Sequence, residues 1–224
     1  MSKEEQIKRI ILNKGADLCG IANIDRFLDT PSGFNPLDIY DASKSVIVFA
    51  KKLPKGLAYV NPRIVYNHAN DLGKNIVDNI TYEASIEIEQ LGCMAIPLPC
   101  DAPYDYWEKE NLKGKGLLSM RHAAVLAGLG SIGKNTLLIN KHYGNFLTLG
   151  AILTNLDLQS DPLSEELCLE NCNLCLDNCP VKSLDGKTAS QKLCRPHTYT
   201  TNDRGFTVVN CNICRTICPR KFGK

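Results

Sequence analysis

CLENCNLCLDNCP at residues 168–180 and CNICRTICP at residues 211–219 decide how this chain is read. The first run is Cys168-x3-Cys172-x2-Cys175-x3-Cys179-Pro180, the second is Cys211-x2-Cys214-x3-Cys218-Pro219, and Cys194 stands alone between them. The pattern C-x2-C-x3-C-P thus occurs twice. It is the run by which bacterial ferredoxins hold two [4Fe–4S] clusters, apart from an x3 gap after Cys168 where x2 is usual. Close spacing lets adjacent thiolates occupy separate corners of one cube, while the cysteine before proline crosses to the other. That crossover assigns Cys168, Cys172, Cys175 and Cys218 to one cluster, and Cys179, Cys194, Cys211 and Cys214 to the second. Zinc and disulfides are the competing readings. Zinc ribbons pair C-x2-C knuckles but need no trailing x3-C-P, and disulfide frameworks belong to short secreted chains.

Eleven cysteines among 224 residues are too many for a cytoplasmic chain unless most of them are ligands or catalysts. Cys19, Cys93 and Cys100 lie outside the two runs and are expected as small buried hydrophobes. Cys100, beside Asp101, is the one candidate for a reactive thiol. The net charge is +2, but residues 168–224 hold nine Lys or Arg against four Asp or Glu, a formal +5. Two thiolate-ligated clusters of roughly −2 each would offset most of that. A basic tail for nucleic acid is therefore an added assumption. No run of about 18 apolar residues is present, so no membrane span is expected. The N-terminus MSKEEQIKRIILNKGAD lacks the features of a signal peptide. A cytoplasmic protein is expected.

Ser2 with Glu5 predicts a capping box opening a first helix, with Ile7, Ile10 and Ile11 on one face. LCGIA (18–22), SVIVFAKKL (45–53), CMAIPLP (93–99) and FLTLGAILT (146–154) read as strands, and residues 64–91 and 117–127 as helices. Strands alternating with helices predict an α/β layered domain over residues 1–160. QSDPLS (159–164) marks the boundary, and beyond it metal sites must organise residues 161–224.

GLGSIGKNT at 128–136 matches G-x-G-x-x-G and nearly a P-loop, with Asn135 where Ser or Thr belongs. Both nucleotide readings need a strand before the first glycine, whereas MRHAAVLA is a helix former. A tight turn after a helix and a backbone lying against another large cofactor remain open.

RHAAVLAGLGSIGKNTLLI (121–139), YGNFLTLGAILT (143–154) and the two cysteine runs with their lone intervening cysteine resemble the epoxyqueuosine reductases and the corrinoid-dependent reductive dehalogenases. The resemblance implies a nitroreductase-like α/β domain that binds base-off cobalamin, followed by a ferredoxin-like domain with two [4Fe–4S] clusters. It places Gly128, Gly130, Gly133, Lys134, Asn135 and Thr136 against the corrin, and Asp101, in CDAPYDYW, as a proton donor. Since the sequence stops at Lys224, before the helical-repeat region associated with tRNA binding in the reductases, a short form is expected.

The function expected is reduction of a substrate with low-potential electrons from a donor such as ferredoxin or flavodoxin. Flavin is the alternative occupant of the N-terminal domain. The competing class is a non-catalytic electron carrier that docks on a partner corrinoid or redox protein. A tRNA-binding enzyme ranks third.

Overall fold

The computed structural model describes residues 1–31, 33–61, 63–104 and 106–224. Helix α1 (Lys3–Asn13) opens with the expected capping box: Glu5 N donates to Ser2 Oγ at 3.1 Å and Ser2 N to Glu5 Oε2 at 3.0 Å. It is followed by β1 (Leu18–Asn23), β2 (Ser45–Lys52), α2 (Ile64–Glu89) and β3 (Ala95–Leu98). Three short pieces come next: the hairpin strands β4 (Tyr106–Glu108) and β5 (Lys113–Lys115), then α3 (Met120–Leu126). The hairpin β6 (Ser131–Ile132) and β7 (Leu138–Ile139) leads into β8 (Leu147–Thr154).

The main sheet has the order β1-β2-β8-β3 and every pair in it is antiparallel. The alternation of strands and helices in the sequence therefore does not build parallel crossovers; the class is mixed α/β around an antiparallel sheet. Pro97 is accommodated because β3 is an edge strand, where a missing N–H costs no ladder bond.

Period-two alternation along β2 divides the core. Ile47 and Phe49 face α1 and α2, packing with Ile7, Ile11, Val77 and Ile88. Val46, Val48 and Ala50 face α3, packing with Ala123, Ala124 and Leu153. A sheet between helices on both faces results, and small alanines let α3 approach closely. Phe49 lies opposite Gly150, where an added Cβ would sit 2.5 Å from the Phe49 ring. Phe49 is fully buried, so Phe49→Ala is expected to cost about 3–5 kcal/mol. A lowered urea midpoint with an unchanged slope would show it.

The segment from Gln159 to Ser164 is stitched to β1. Asn23 N donates to Ser160 Oγ at 2.7 Å and Ile21 N to Asp161 Oδ2 at 2.8 Å, and Lys8 pairs with Asp161. Beyond it come α4 (Leu174–Asp177), α5 (Gln191–Thr198), the hairpin β9 (Tyr199–Thr201) and β10 (Thr207–Val209), and α6 (Ile213–Thr216). Helices α4 and α6 pack together and carry the middle cysteines of the two runs, Cys175 and Cys214. Few large apolar side chains are buried here, Leu167 among them, beside Cys175, Cys179 and Cys218. Among the described residues, no helix is long and apolar enough to cross a membrane.

Candidate functional site

Cys168, Cys172, Cys175 and Cys218 line one cavity, with Lys134 and Arg220 at its wall. Burial pushes the Cys175 thiol up, and the nearby thiols of Cys168, Cys218 and Cys172 push it further. Burial also raises Cys218, with Cys168 and Cys172 acting the same way. The second quartet gathers around Cys214. Burial drives its thiol up to about 11; Cys194, Cys211 and Cys179 add to the rise while Arg215 opposes it. Cys179 is also burdened by burial, but hydrogen bonds from Ser183 and from the Val181 and Leu184 amides bring it below the usual thiol range. Its Sγ accepts from Ser183 N at 3.3 Å and lies 3.3 Å from Ser183 Oγ. Thr198 Oγ1 is 3.3 Å from Cys194 Sγ.

Four thiols facing one another in a half-buried pocket repel as thiolates, so such a quartet calls for a cation to hold it. All eleven cysteines are free in this structure. Two separated quartets, the second with Ser183 N–H on the Cys179 sulfur, are a donor set that fits iron–sulfur clusters.

The turn at 128–136 serves the chain itself. Gly128, with φ +75°, closes α3 as its N–H bonds Val125 O at 2.9 Å, and a Cβ there would lie 2.2 Å from Pro162 O. A Cβ on Gly130 would lie 2.1 Å from Ile139 O. Gly133 closes the β6–β7 hairpin by bonding Leu137 O at 2.9 Å. Lys134 Nζ donates to Glu170 O at 2.6 Å, Cys172 O at 3.2 Å and Asn173 Oδ1 at 3.0 Å. Asn135, almost wholly buried, donates to Cys214 O at 2.9 Å. Consecutive side chains thus clamp both cysteine loops, a role that the motif match did not suggest. Thr136 instead accepts from Arg121, through its carbonyl and through Oγ1 at 3.0 Å.

Asp101 stands apart from the quartets. Its Oδ2 is 2.7 Å from Lys74 Nζ, and its Oδ1 accepts from Tyr104 OH at 3.2 Å. Burial lowers the Lys74 ammonium, but the Asp101 hydrogen bond and charge outweigh it and leave it raised. The aromatic insertion is anchored across the molecule: Gln191 on α5 bonds both Gly114 N, at 2.9 Å, and Gly114 O, at 3.0 Å. Arg195, held by Gln191 at 2.9 Å, lies 5.1 Å from the Tyr104 ring centre and 4.9 Å from that of Trp107. Burial depresses the Arg121 guanidinium and Arg215 depresses it further, against Cys214, Asp101 and Tyr104. Burial raises Tyr199, with Asp101 and Tyr104 acting the same way. Arg121 and Tyr199 are solvent-exposed yet densely surrounded, the condition of groups in a recess. Lys74, Asp101, Tyr104, Trp107, Arg195 and Tyr199 are joined there by contacts of 6.0 Å or less, and Arg121 bonds Thr136, the neighbour of the Asn135 that holds Cys214 O at 2.9 Å.

The sequence reading missed Lys74, Arg195 and Tyr199, which lie in no motif, and gave no role to Arg121, which opens the 121–139 stretch. Burial and Asp78 push the Cys100 thiol up to about 12. Burial does the same to Cys19, also to about 12. His122 is taken up by Ser119, 2.7 Å away.

No protein-family model matches the chain. An epoxyqueuosine reductase of Lactococcus garvieae is 36% identical over 113 residues, 45% of this chain and 31% of that protein. That of Listeria monocytogenes is 34% identical over 120 residues, 48% of this chain and 31% of its own. The solved epoxyqueuosine reductase of Streptococcus thermophilus superposes with a TM-score of 0.71 at 19% identity, over 100% of this chain and 68% of that one. The chain resembles the epoxyqueuosine reductases in sequence and in fold. The match spans about a third of the length of the curated reductases. A catabolic reductive dehalogenase shares the fold at a TM-score of 0.72 and 18% identity, over 97% of this chain and 32% of its own. A further epoxyqueuosine reductase, solved with an epoxyqueuosine-modified tRNA stem loop, superposes at 0.60 with 17% identity, over 97% of this chain and 64% of that one.

Proposed function

We propose that this chain is an iron–sulfur oxidoreductase of the epoxyqueuosine-reductase kind, with a ferredoxin-like domain at 161–224 and a nitroreductase-like domain at 1–160. Two [4Fe–4S] clusters would supply low-potential one-electron transfer, and a cobalamin in the recess would supply a reducing cobalt centre. Cys168, Cys172, Cys175 and Cys218 hold the first cluster; Cys179, Cys194, Cys211 and Cys214 hold the second. Ser183 and Thr198, at the sulfurs of Cys179 and Cys194, tune the second site. Lys134 and Asn135 fix both loops to the larger layer. Around the recess, Arg121 and Tyr199 offer donors to the amide-rimmed edge of a corrin, while Tyr104 and Trp107 offer ring faces. Asp101, bonded to Lys74 and Tyr104, is placed to move a proton to the reduced substrate.

The single observation that carries this reading is that Cys168, Cys172 and Cys175 of the first run and Cys218 of the second line one cavity. An electron carrier needs the quartets alone; the ion-paired Asp101 among Tyr104, Arg195 and Tyr199 favours an enzyme. The solved complex of a relative with a modified tRNA stem loop makes that stem loop the first substrate to assay. It lifts tRNA above the last place that charge alone assigns.

Anaerobic purification with iron, sulfide and cobalt analysis tests the proposal. About eight irons per chain and one bound corrin are expected. A folded, colourless protein without iron overturns it. Iron with a recess that takes up neither cobalamin nor flavin favours the carrier.

A further inference from the structure

A second, larger opening lies away from the recess. It is a groove of about 530 Å³, with Tyr143, Phe146 and Phe222 as its aromatic walls and Lys51, Lys52 and Lys55 at its rim. The tail that follows Cys218 joins the groove to the first cysteine quartet. Phe222 packs on Phe146 with ring centres 5.1 Å apart, and Lys224 N bonds Lys141 O at 2.9 Å. Gly144 admits this tail; a Cβ there would lie 2.1 Å from Arg220 O. Lys55 and Lys221 both stand over the Phe222 ring, 5.5 and 5.6 Å from its centre. Lys52 is 5.7 Å from the centre of Tyr143. Lys221 N bonds Cys218 O at 3.1 Å, so the tail is tied directly to the first quartet.

The rim is nearly all cationic. Asp17 pairs with Lys51 at 3.2 Å and with Lys52 at 3.4 Å, whereas Lys55 and Lys221 have no acidic partner within 4.0 Å among the described residues. None of this charge is buried deeply: the side chains of Lys51 and Lys52 are 28% and 56% exposed. A small anion is held tightly by converging, desolvated donors, and these lysines are neither. Exposed like charges around an open aromatic groove act instead over a distance, steering a large partner of opposite sign.

We infer that this groove docks an acidic one-electron carrier protein of the ferredoxin or flavodoxin class, with its carboxylates on Lys52, Lys55 and Lys221. This rests on the reading that the first quartet holds a cluster, since the groove's tail starts from Cys218, which lines that quartet's cavity. One electron would leave the reduced carrier and be gained at the first quartet's centre, with no bond made or broken.

The test uses the whole chain and a purified acidic flavodoxin. Binding of the oxidised flavodoxin at low and at ~0.15 M salt is measured by calorimetry, and reduction by its hydroquinone by stopped flow. Lys52→Glu/Lys55→Glu should weaken binding ~10–100-fold at low salt, and Lys55→Gln by a smaller factor. Lys3→Glu on α1, outside the groove, should leave it unchanged, and reduction by dithionite should be the same in all variants. Equal binding by parent and double variant overturns the docking site. So does a modified tRNA stem loop that binds the groove where flavodoxin does not. Iron and sulfide content is read separately, so loss of the cluster assignment is not mistaken for loss of the docking surface.

Discussion

Cys218→Ser and Cys179→Ser should damage different clusters, although each residue closes one C-x2-C-x3-C-P run in the same way. Cys218 belongs to the second run but lines the cavity of Cys168, Cys172 and Cys175. Cys179 belongs to the first run but acts on Cys214 alongside Cys194 and Cys211. Each serine should lower iron content by up to half, roughly four atoms per chain, and remove one of two electron-paramagnetic signals of the reduced protein. The surviving signal should differ between the two variants. Because the segment after residue 160 has little apolar core, stability should fall as well; a lost ligand commonly weakens a metal-organised fold by several kcal/mol. Loss of the same signal in both variants would disprove the crossover. A Cys168→Ser variant extends the test to the run with the unusual x3 gap, and it should match Cys218→Ser in the signal it loses.

Legibility followed locality. Ser2 and Glu5 are three residues apart, and the capping box they predict is present. Along β2, Val46, Ile47, Val48 and Phe49 alternate between two cores, and so strongly β-branched a run was readable as a strand. The strand order was not readable, because nothing in β1, β2, β3 or β8 states that all four pair antiparallel. The resemblance laid the turn at 128–136 against a corrin; in the structure its glycines make room for Pro162 and Ile139. A motif of small residues records only that something comes close. It does not distinguish a cofactor from the chain's own backbone. Lys134 and Asn135 reach partners 36 to 79 residues away, and Gln191 reaches Gly114 across 77. Side-chain clamps of that span leave no periodic trace. The recess is the extreme case: Lys74 on α2, Arg121 on α3 and Tyr199 on β9 become neighbours only when the layers close.

Asp101→Asn is expected to reduce turnover of an epoxyqueuosine-modified stem loop by ~10²–10⁴-fold while leaving iron content and dithionite reduction intact. The size of the effect follows from the role proposed for the carboxylate. It receives a hydrogen bond from Tyr104 and an ion pair from Lys74, so two protonated groups supply it. An amide keeps the shape but cannot relay a proton. Lys74→Met should have a smaller effect, about tenfold, because Tyr104 still orients the acid. The stability that the pair contributes should be complete below the ordinary lysine value of 10.5 and disappear only at higher pH, since Asp101 holds the Lys74 ammonium above that value. Lys74→Met should therefore lower the melting temperature at neutral pH and reduce its alkaline decline. The ordering of the two variants is what separates the roles. If Asp101→Asn were no slower than Lys74→Met, the ion pair would be holding α2 against the residue-100 turn, and the proton would come from elsewhere in the recess, Tyr199 being the next group to replace.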